Sequence, residues 1–226
     1  MSNEPPNTFK FSFIDETVVV LSVDLFGTLV SAASRRSPGE AVAYALRARG
    51  HEVPPSFLSA YRSHQFDVHP ALEVPLQHHV RAALQSVGTE ASIQSVHAAL
   101  LKAFDVPVSP TPLADPILQI IGEASTRSAI LSNCSLTGLV PQTLARAGLN
   151  PTGFDVVVSS VDIGVRKPDP RSFRAVAGLL GADVTDVIHV GDSPRTDGGV
   201  VTAGGRFVQI DPMDPTSIEK LQEEVT

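Results

Sequence analysis

Four short stretches of this chain end in residues able to do chemistry. Asp24 follows the apolar, β-branched run 18–23, and Ser132-Asn133 follows 128–131. Lys167 stands in the loop after 154–158. Asp192 follows 187–190, with Asp197 five residues on. An aspartate is a weak nucleophile, so it needs positioning and charge compensation to react. Asp24, Asp192 and Asp197 would crowd three carboxylates around one lysine, and two like charges about 4 Å apart cost roughly 4 kcal/mol at an effective dielectric near 20. A hard divalent cation with oxygen ligands removes that cost, and Mg²⁺ is the usual choice. A metal, a lysine and hydrogen-bond donors together stabilise oxygens on which negative charge develops. Gly27 lets the main chain approach a phosphate closely.

The elements around these residues must bring them together. A run apolar on both faces that ends in a polar residue reads as a buried parallel strand, and ligands bind at the carboxyl edge of such sheets. After residue 114 the pattern alternates: helix 116–124, strand 128–131, helix 138–147, strand 154–158, helix 170–180, strand 187–190, helix 197–203, strand 207–210 and helix 217–224. That alternation predicts a doubly wound α/β fold with a parallel sheet and right-handed crossovers. Residues 34–113 differ. Ser37-Pro38-Gly39-Glu40 opens a helix with a capping box, and 55–66, 75–87 and 92–104 carry apolar residues at helical spacing. In the last of these Ile93, Val96, Leu100 and Phe104 share a stripe. The organisation expected is an α/β core at 18–33 and 114–226, a mostly helical cap at 34–113 returning through a Pro-rich linker at 106–112, and an N-terminal tail at 1–17. The tail could hold a short extra strand at 9–13.

Composition narrows the function classes. With 226 residues, 42% hydrophobic, and a mean hydropathy of +0.12, the chain can bury a substantial core. A net charge of -7 and a pI near 5.4, with no long basic run, argue against a nucleic-acid partner. No apolar run is long enough to span a bilayer, and the start has no signal-peptide pattern. The single cysteine, Cys134, excludes an intramolecular disulfide and suits a reducing cytoplasm. A monomer or homodimer fits this size.

Asp24-Leu25-Phe26-Gly27-Thr28-Leu29, Leu131-Ser132-Asn133, Arg166-Lys167-Pro168-Asp169-Pro170 and Val190-Gly191-Asp192-Ser193 with Asp197 resemble the four motifs of the haloacid dehalogenase superfamily of hydrolases. The match runs over roughly 18–211, and the helical insertion resembles that family's cap. The resemblance implies a HAD-like Rossmannoid core, a nucleophilic Asp24 and a covalent aspartyl intermediate. Ser132 would hydrogen-bond the transferring group and Lys167 would balance charge. Phe26, Gly27, Thr28 and Asn133 would stand against the substrate. Asp192 would bind Mg²⁺ beside Asp24 and the Phe26 carbonyl, with Asp197 often one water further out.

One position departs from the pattern. Phosphatases of this superfamily usually carry a second aspartate two residues after the nucleophile, which protonates the leaving oxygen and then activates water; here it is Phe26. The metal-independent 2-haloacid dehalogenases have an aromatic residue there, because a halide leaves without a proton. They lack the first acid of the fourth motif, whereas this chain has both Asp192 and Asp197. The reading favoured is a Mg²⁺-dependent phosphatase of a small phosphorylated metabolite, slow or selective for leaving groups that need no proton. The alternatives are a 2-haloacid dehalogenase and a low-activity or non-catalytic module that binds phosphate or a partner.

Other polar residues have plainer expectations. His189, inside a strand, reads as packed or hydrogen-bonded. His64, His69, His78, His79 and His97 lack metal spacing and read as exposed helix residues. Of Arg35, Arg36, Arg47, Arg49, Arg62 and Arg81, one or two could meet an anionic substrate. Cys134 reads as a small buried hydrophobe. Asp162 and Asp169 read equally as turn residues or as supports for Lys167 and the metal.

Overall fold

A computed structural model describes residues 19–33, 38–64, 68–123 and 126–225. The expected tail strand at 9–13, the Ser37 capping box, and Arg35 and Arg36 lie outside the described residues. In chain order the strands are β1 (Val20–Val23), β2 (Val30–Ala32), β3 (Val108–Pro110), β4 (Arg127–Ser132), β5 (Val156–Ser159), β6 (Val187–Gly191) and β7 (Arg206–Gln209). The helices are α1 (Pro38–Arg47), α2 (Phe57–Ser63), α3 (Leu76–Ser86), α4 (Ile93–Ala103), α5 (Ala114–Glu123), α6 (Leu139–Arg146), α7 (Ser160–Ile163), α8 (Pro170–Leu179), α9 (Gly199–Ala203) and α10 (Ser217–Val225).

The core is a five-stranded sheet in the order β5-β4-β1-β6-β7, with every pair parallel. Its central strands are buried on both faces: Val20–Val23 throughout, and all of Val187–Gly191. That burial explains their unbroken apolar runs. The chain steps outward from β1 to β4 and β5, then returns to the other side of β1 for β6 and β7. The order reverses between β1 and β6, so the ligand crevice belongs at the carboxyl end of β1, where Asp24 follows Val23.

The helices between β2 and β3 follow the apolar spacing. On α4, Val96, Ala99 and Leu100 are buried, and the N-cap Ser92 accepts from Ser95 N. On α3, Val80, Ala83 and Leu84 are buried. The segment 106–112 is not simply a linker: β3 within it pairs antiparallel with β2, Val30 opposite Pro110 and Ala32 opposite Val108. Proline is tolerated there because it ends an edge strand. The two-stranded ribbon closes the base of the helical insertion. Helix α7 was not expected, and it begins with a capping box in which Asp162 accepts from Ser159 N and Oγ. Asp162 therefore serves to cap α7, and Asp169 caps α8 by accepting from Arg171 N.

A backbone seam ties the insertion to the sheet. Arg166 N donates to Ala71 O, Glu73 N to Gly164 O and Leu76 N to Ser135 O. The Glu73 side chain, 4% exposed, accepts from Ser135 Oγ (2.7 Å) and Ser160 Oγ (2.5 Å) and pairs with Arg166. His97 adds a contact to Thr137 O, and within the insertion His79 bonds to Tyr61 O. Among the described residues, no helix is long and apolar enough to cross a membrane.

Candidate active site

Asp24 leaves β1 with its amide hydrogen-bonded to Val190 O across the sheet, and the residue is 7% exposed. The loop after β5 brings Lys167 to it. Lys167 is 2% exposed, and its Nζ donates to Asp24 Oδ1 at 2.8 Å and Asp197 Oδ1 at 2.6 Å. Asn133, at the end of β4, fixes that loop: its Nδ2 donates to Lys167 O and its Oδ1 accepts from Lys167 N. Expected as a substrate contact, Asn133 has both ends of its amide engaged with the lysine main chain, so its polar atoms position Lys167.

Asp192 and Asp197 come from the β6 tip. Carboxylate oxygens of Asp24, Asp192 and Asp197 lie within 4.8 Å of one another. Two glycines permit this crowding. Gly27 has φ +91°, and a Cβ there would lie 2.5 Å from Asp192 Oδ2. A Cβ on Gly191 would lie 2.3 Å from Asp197 Oδ2. Either substitution would push a carboxylate out of the cluster. The donor set is all oxygen, as a hard divalent cation requires. Asp197 has little freedom to take part directly. Its Oδ2 accepts from Ser193 N, and its Oδ1 faces both Lys167 Nζ and His189 Nε2.

His189 contributes more than its position in a strand suggested. It is hydrogen-bonded and packed, as expected, but it also touches the site. The ring is fully buried, stacks edge-on against Phe173, and pairs across the sheet with Ser22. Its Nδ1 lies 3.0 Å from Ser22 Oγ and its Nε2 3.2 Å from Asp197 Oδ1. Burial and the neighbouring Lys167 lower it to about 4, so the ring is neutral. A ring donating from Nε2 to Asp197 leaves Nδ1 to accept from Ser22. A histidine interrupting an otherwise apolar buried run was the available signal; its partner depended on strand register.

The carboxylates diverge. Burial lifts Asp24 to about 6, outweighing the neighbouring Lys167, and Asp197 adds to the rise. Burial would also raise Asp197, but the hydrogen bond from His189 and the charge of Lys167 prevail and hold it at about 2. Asp192 is raised by burial and by Asp197.

These opposed shifts give a stability signature. Asp24 contributes fully below its ordinary value of 3.8, and that contribution is lost as pH rises through about 6. Asp197 contributes above 3.8 and loses its share as pH falls through about 2. A shift of about two units corresponds to about 3 kcal/mol. In chelator-treated protein, the urea-melt stability of wild type relative to Asp24→Asn should therefore rise by about 1–3 kcal/mol between about pH 7.5 and about pH 4. A difference independent of pH would contradict the assignment.

Two hydroxyls point to an anion. Ser132 Oγ and Thr28 Oγ1 are buried and have no hydrogen-bond partner among the described residues. Both flank Asp24, at the end of β4 and in the turn after β1. Unpaired buried hydroxyls are costly, and oxygen atoms of a bound group would satisfy them. Phe26, the Gly27 turn and Thr28 line the same turn. Cys134 is buried, as expected of a small hydrophobe. Among the arginines of the helical insertion, Arg47 donates to Val53 O and Arg49 to Ala98 O. Among the described residues, the three aspartates form the one cluster able to hold a metal.

Comparison with known proteins identifies the family. Residues 19–199 match the family model of haloacid dehalogenase-like hydrolases. A phosphoserine phosphatase of Thermus thermophilus is 34% identical over 119 residues, 49% of this chain and 47% of its own length. The chain spans about half the length of the curated relatives it matches. Among solved structures, a 2-haloacid dehalogenase from Pseudomonas syringae superposes with a TM-score of 0.62 at 23% identity, over 86% of this chain and 87% of that one. An enzyme of the family from Bacteroides thetaiotaomicron, in complex with magnesium and inorganic phosphate, gives 0.56 at 17% identity, over 87% and 96%. Those two likenesses are of fold. With an α/β core, four polar strand tips gathered at one edge and a family match over most of its length, the chain belongs to the haloacid dehalogenase-like hydrolases.

Proposed function

We propose that this hydrolase is a Mg²⁺-dependent phosphatase of a small phosphorylated metabolite, acting through an aspartyl-phosphate at Asp24. The observation that carries the reading is the cluster itself: three aspartates within 4.8 Å of one another, two of them paired with the buried Lys167, and a Ser132 Oγ with no partner among the described residues. The phosphatase relatives, each matched over about half its length, and the magnesium- and phosphate-bound neighbour support it.

In this reading Asp24, the Phe26 carbonyl and Asp192 would hold Mg²⁺, with Asp197 behind them. Bound there, the cation would neutralise charge on the transferring group's oxygens. The remaining steps belong to the chain. Lys167 keeps the Asp24 carboxylate oriented and balances the incoming phosphate. Ser132 and Thr28 donate hydrogen bonds to the phosphoryl oxygens. Asp197, with His189 and Ser193 N, fixes the lysine. Helices α1–α4 serve as a cap that excludes water and selects the substrate. The buried Cys134 suits a reducing compartment, which supports a cytoplasmic setting. Mg²⁺-dependent hydrolysis of p-nitrophenyl phosphate, abolished by chelation, is the expected result; no turnover of it with Mg²⁺ present would reject the reading.

Phe26 limits the chemistry. A positioned acid–base is worth about 10²–10⁴ in rate. Phe26→Asp should raise turnover of an alkyl phosphate by about 10-fold or more, measured as phosphate release. No increase would show that Phe26 is not what slows such substrates. The same aromatic residue favours one second reading, a metal-independent 2-haloacid dehalogenase. Halide release from 2-chloropropionate in chelator would support it, and silence toward both substrates would leave a module that binds without turnover.

A further inference from the structure

We propose that the cavity behind Phe26 receives the leaving group of the substrate and selects an apolar one, so that the preferred substrates are aromatic acyl or aryl phosphates. This rests on the phosphatase reading. The cavity has a volume of about 330 Å³, and its lining includes Phe26, two residues beyond Asp24, and Asn133, which follows Ser132. Its apolar wall is Phe26, Leu76, Phe104, Leu136 and Leu139. Among the described residues, no charged side chain lines it.

The polar side chains that reach the cavity are already engaged. The Asn133 amide is held at both ends by the Lys167 main chain. Ser135 Oγ donates to Glu73. Cys134 Sγ lies 3.5 Å from Leu136 O. A sugar, glycerol or amino-acid leaving group would find few hydrogen-bonding groups there to replace its water. A phenyl ring there gains from leaving water.

The missing acid points the same way. The bond between phosphorus and the leaving oxygen breaks, and that oxygen departs with the bonding pair as a carboxylate or phenolate. A bond forms from phosphorus to Asp24 Oδ. Water then displaces Asp24, and both of its protons stay on the released phosphate as H₂PO₄⁻. No proton has to reach the leaving oxygen, so Phe26 is tolerated at this position.

Acetyl and benzoyl phosphate test the cavity apart from the chemistry. Both release carboxylates of similar basicity, and they differ in one aromatic ring. With Mg²⁺, kcat/KM for benzoyl phosphate should exceed that for acetyl phosphate by about 10- to 100-fold. Phenyl phosphate should be preferred to phosphoserine. In Leu76→Gln and Phe104→Gln the benzoyl-to-acetyl ratio should fall toward one, a ratio that does not depend on the fraction of folded enzyme. Hydrolysis of acetyl phosphate with no benzoyl preference, or with phosphoserine as the better monoester, would overturn the cavity assignment and leave the phosphatase reading standing. Failure to hydrolyse either acyl phosphate would overturn both.

Discussion

Asp24→Asn should lower kcat by at least about 10⁴-fold on acetyl phosphate with Mg²⁺, with the fold intact. The amide matches the carboxylate in shape but is not a nucleophile and cannot form the acyl phosphate. Removing the attacking group from a covalent mechanism leaves only what the surrounding donors supply, and losses reach about 10⁶ in well-studied hydrolases. The change touches little else: Lys167 retains Asp197 at 2.6 Å, and the β1 backbone keeps its bond to Val190. Steady-state rates beside thermal melts check this. A variant within tenfold of wild type would mean that the first strand tip does not carry the reaction.

Lys167→Met should be the most destabilising single change at the site. The lysine side chain is 1% exposed and lies between Asp24 and Asp197. Methionine fills the space but leaves the carboxylates facing one another, and removing one partner of a buried ion pair costs about 3–5 kcal/mol. Denaturant melts in chelator should show that loss. Millimolar Mg²⁺ should restore part of it, because a cation bound by Asp24 and Asp192 supplies the missing positive charge. Activity should stay about 10²–10³-fold down even when the fold is rescued, since the donor to Asp24 is gone. Arginine is a poor substitute: its planar fork does not fit a gap of 2.8 Å and 2.6 Å to two separate oxygens. A Met variant as stable as wild type in chelator would contradict the charge balance described.

The parts of this site that could be read from the sequence are those where one local rule suffices. A buried parallel strand must be apolar on both faces, so 18–23 and 187–190 stood out, and their polar ends marked Asp24 and Asp192. Lys167 stood out as one of only four lysines, just ahead of a helix that begins at Pro170. What stayed hidden depends on pairings between distant segments. Three-residue strands such as Val30–Ala32 and Val108–Pro110 carry too little alternation to be seen, and the second ends in proline. They exist because each supplies the other's hydrogen bonds. The reach of His189 to Asp197 follows from its register opposite Ser22, which its own neighbours do not encode. Asn133 was legible as a site residue, but its hold on the Lys167 main chain requires two loops 34 residues apart to meet. Glu73 gave no signal at all. A lone glutamate between Leu72 and Val74 looks solvated until Ser135, Ser160 and Arg166 close on it.

The central claim is a covalent phosphoryl group on Asp24. Rapid acid quench of enzyme mixed with acetyl phosphate and Mg²⁺, followed by peptide mass spectrometry, reads it directly. The account predicts one phosphoryl group on the peptide containing Asp24, absent in Asp24→Asn and absent when Mg²⁺ is chelated. Phosphate release at full rate with that peptide never modified, or with the group on another residue, would contradict it.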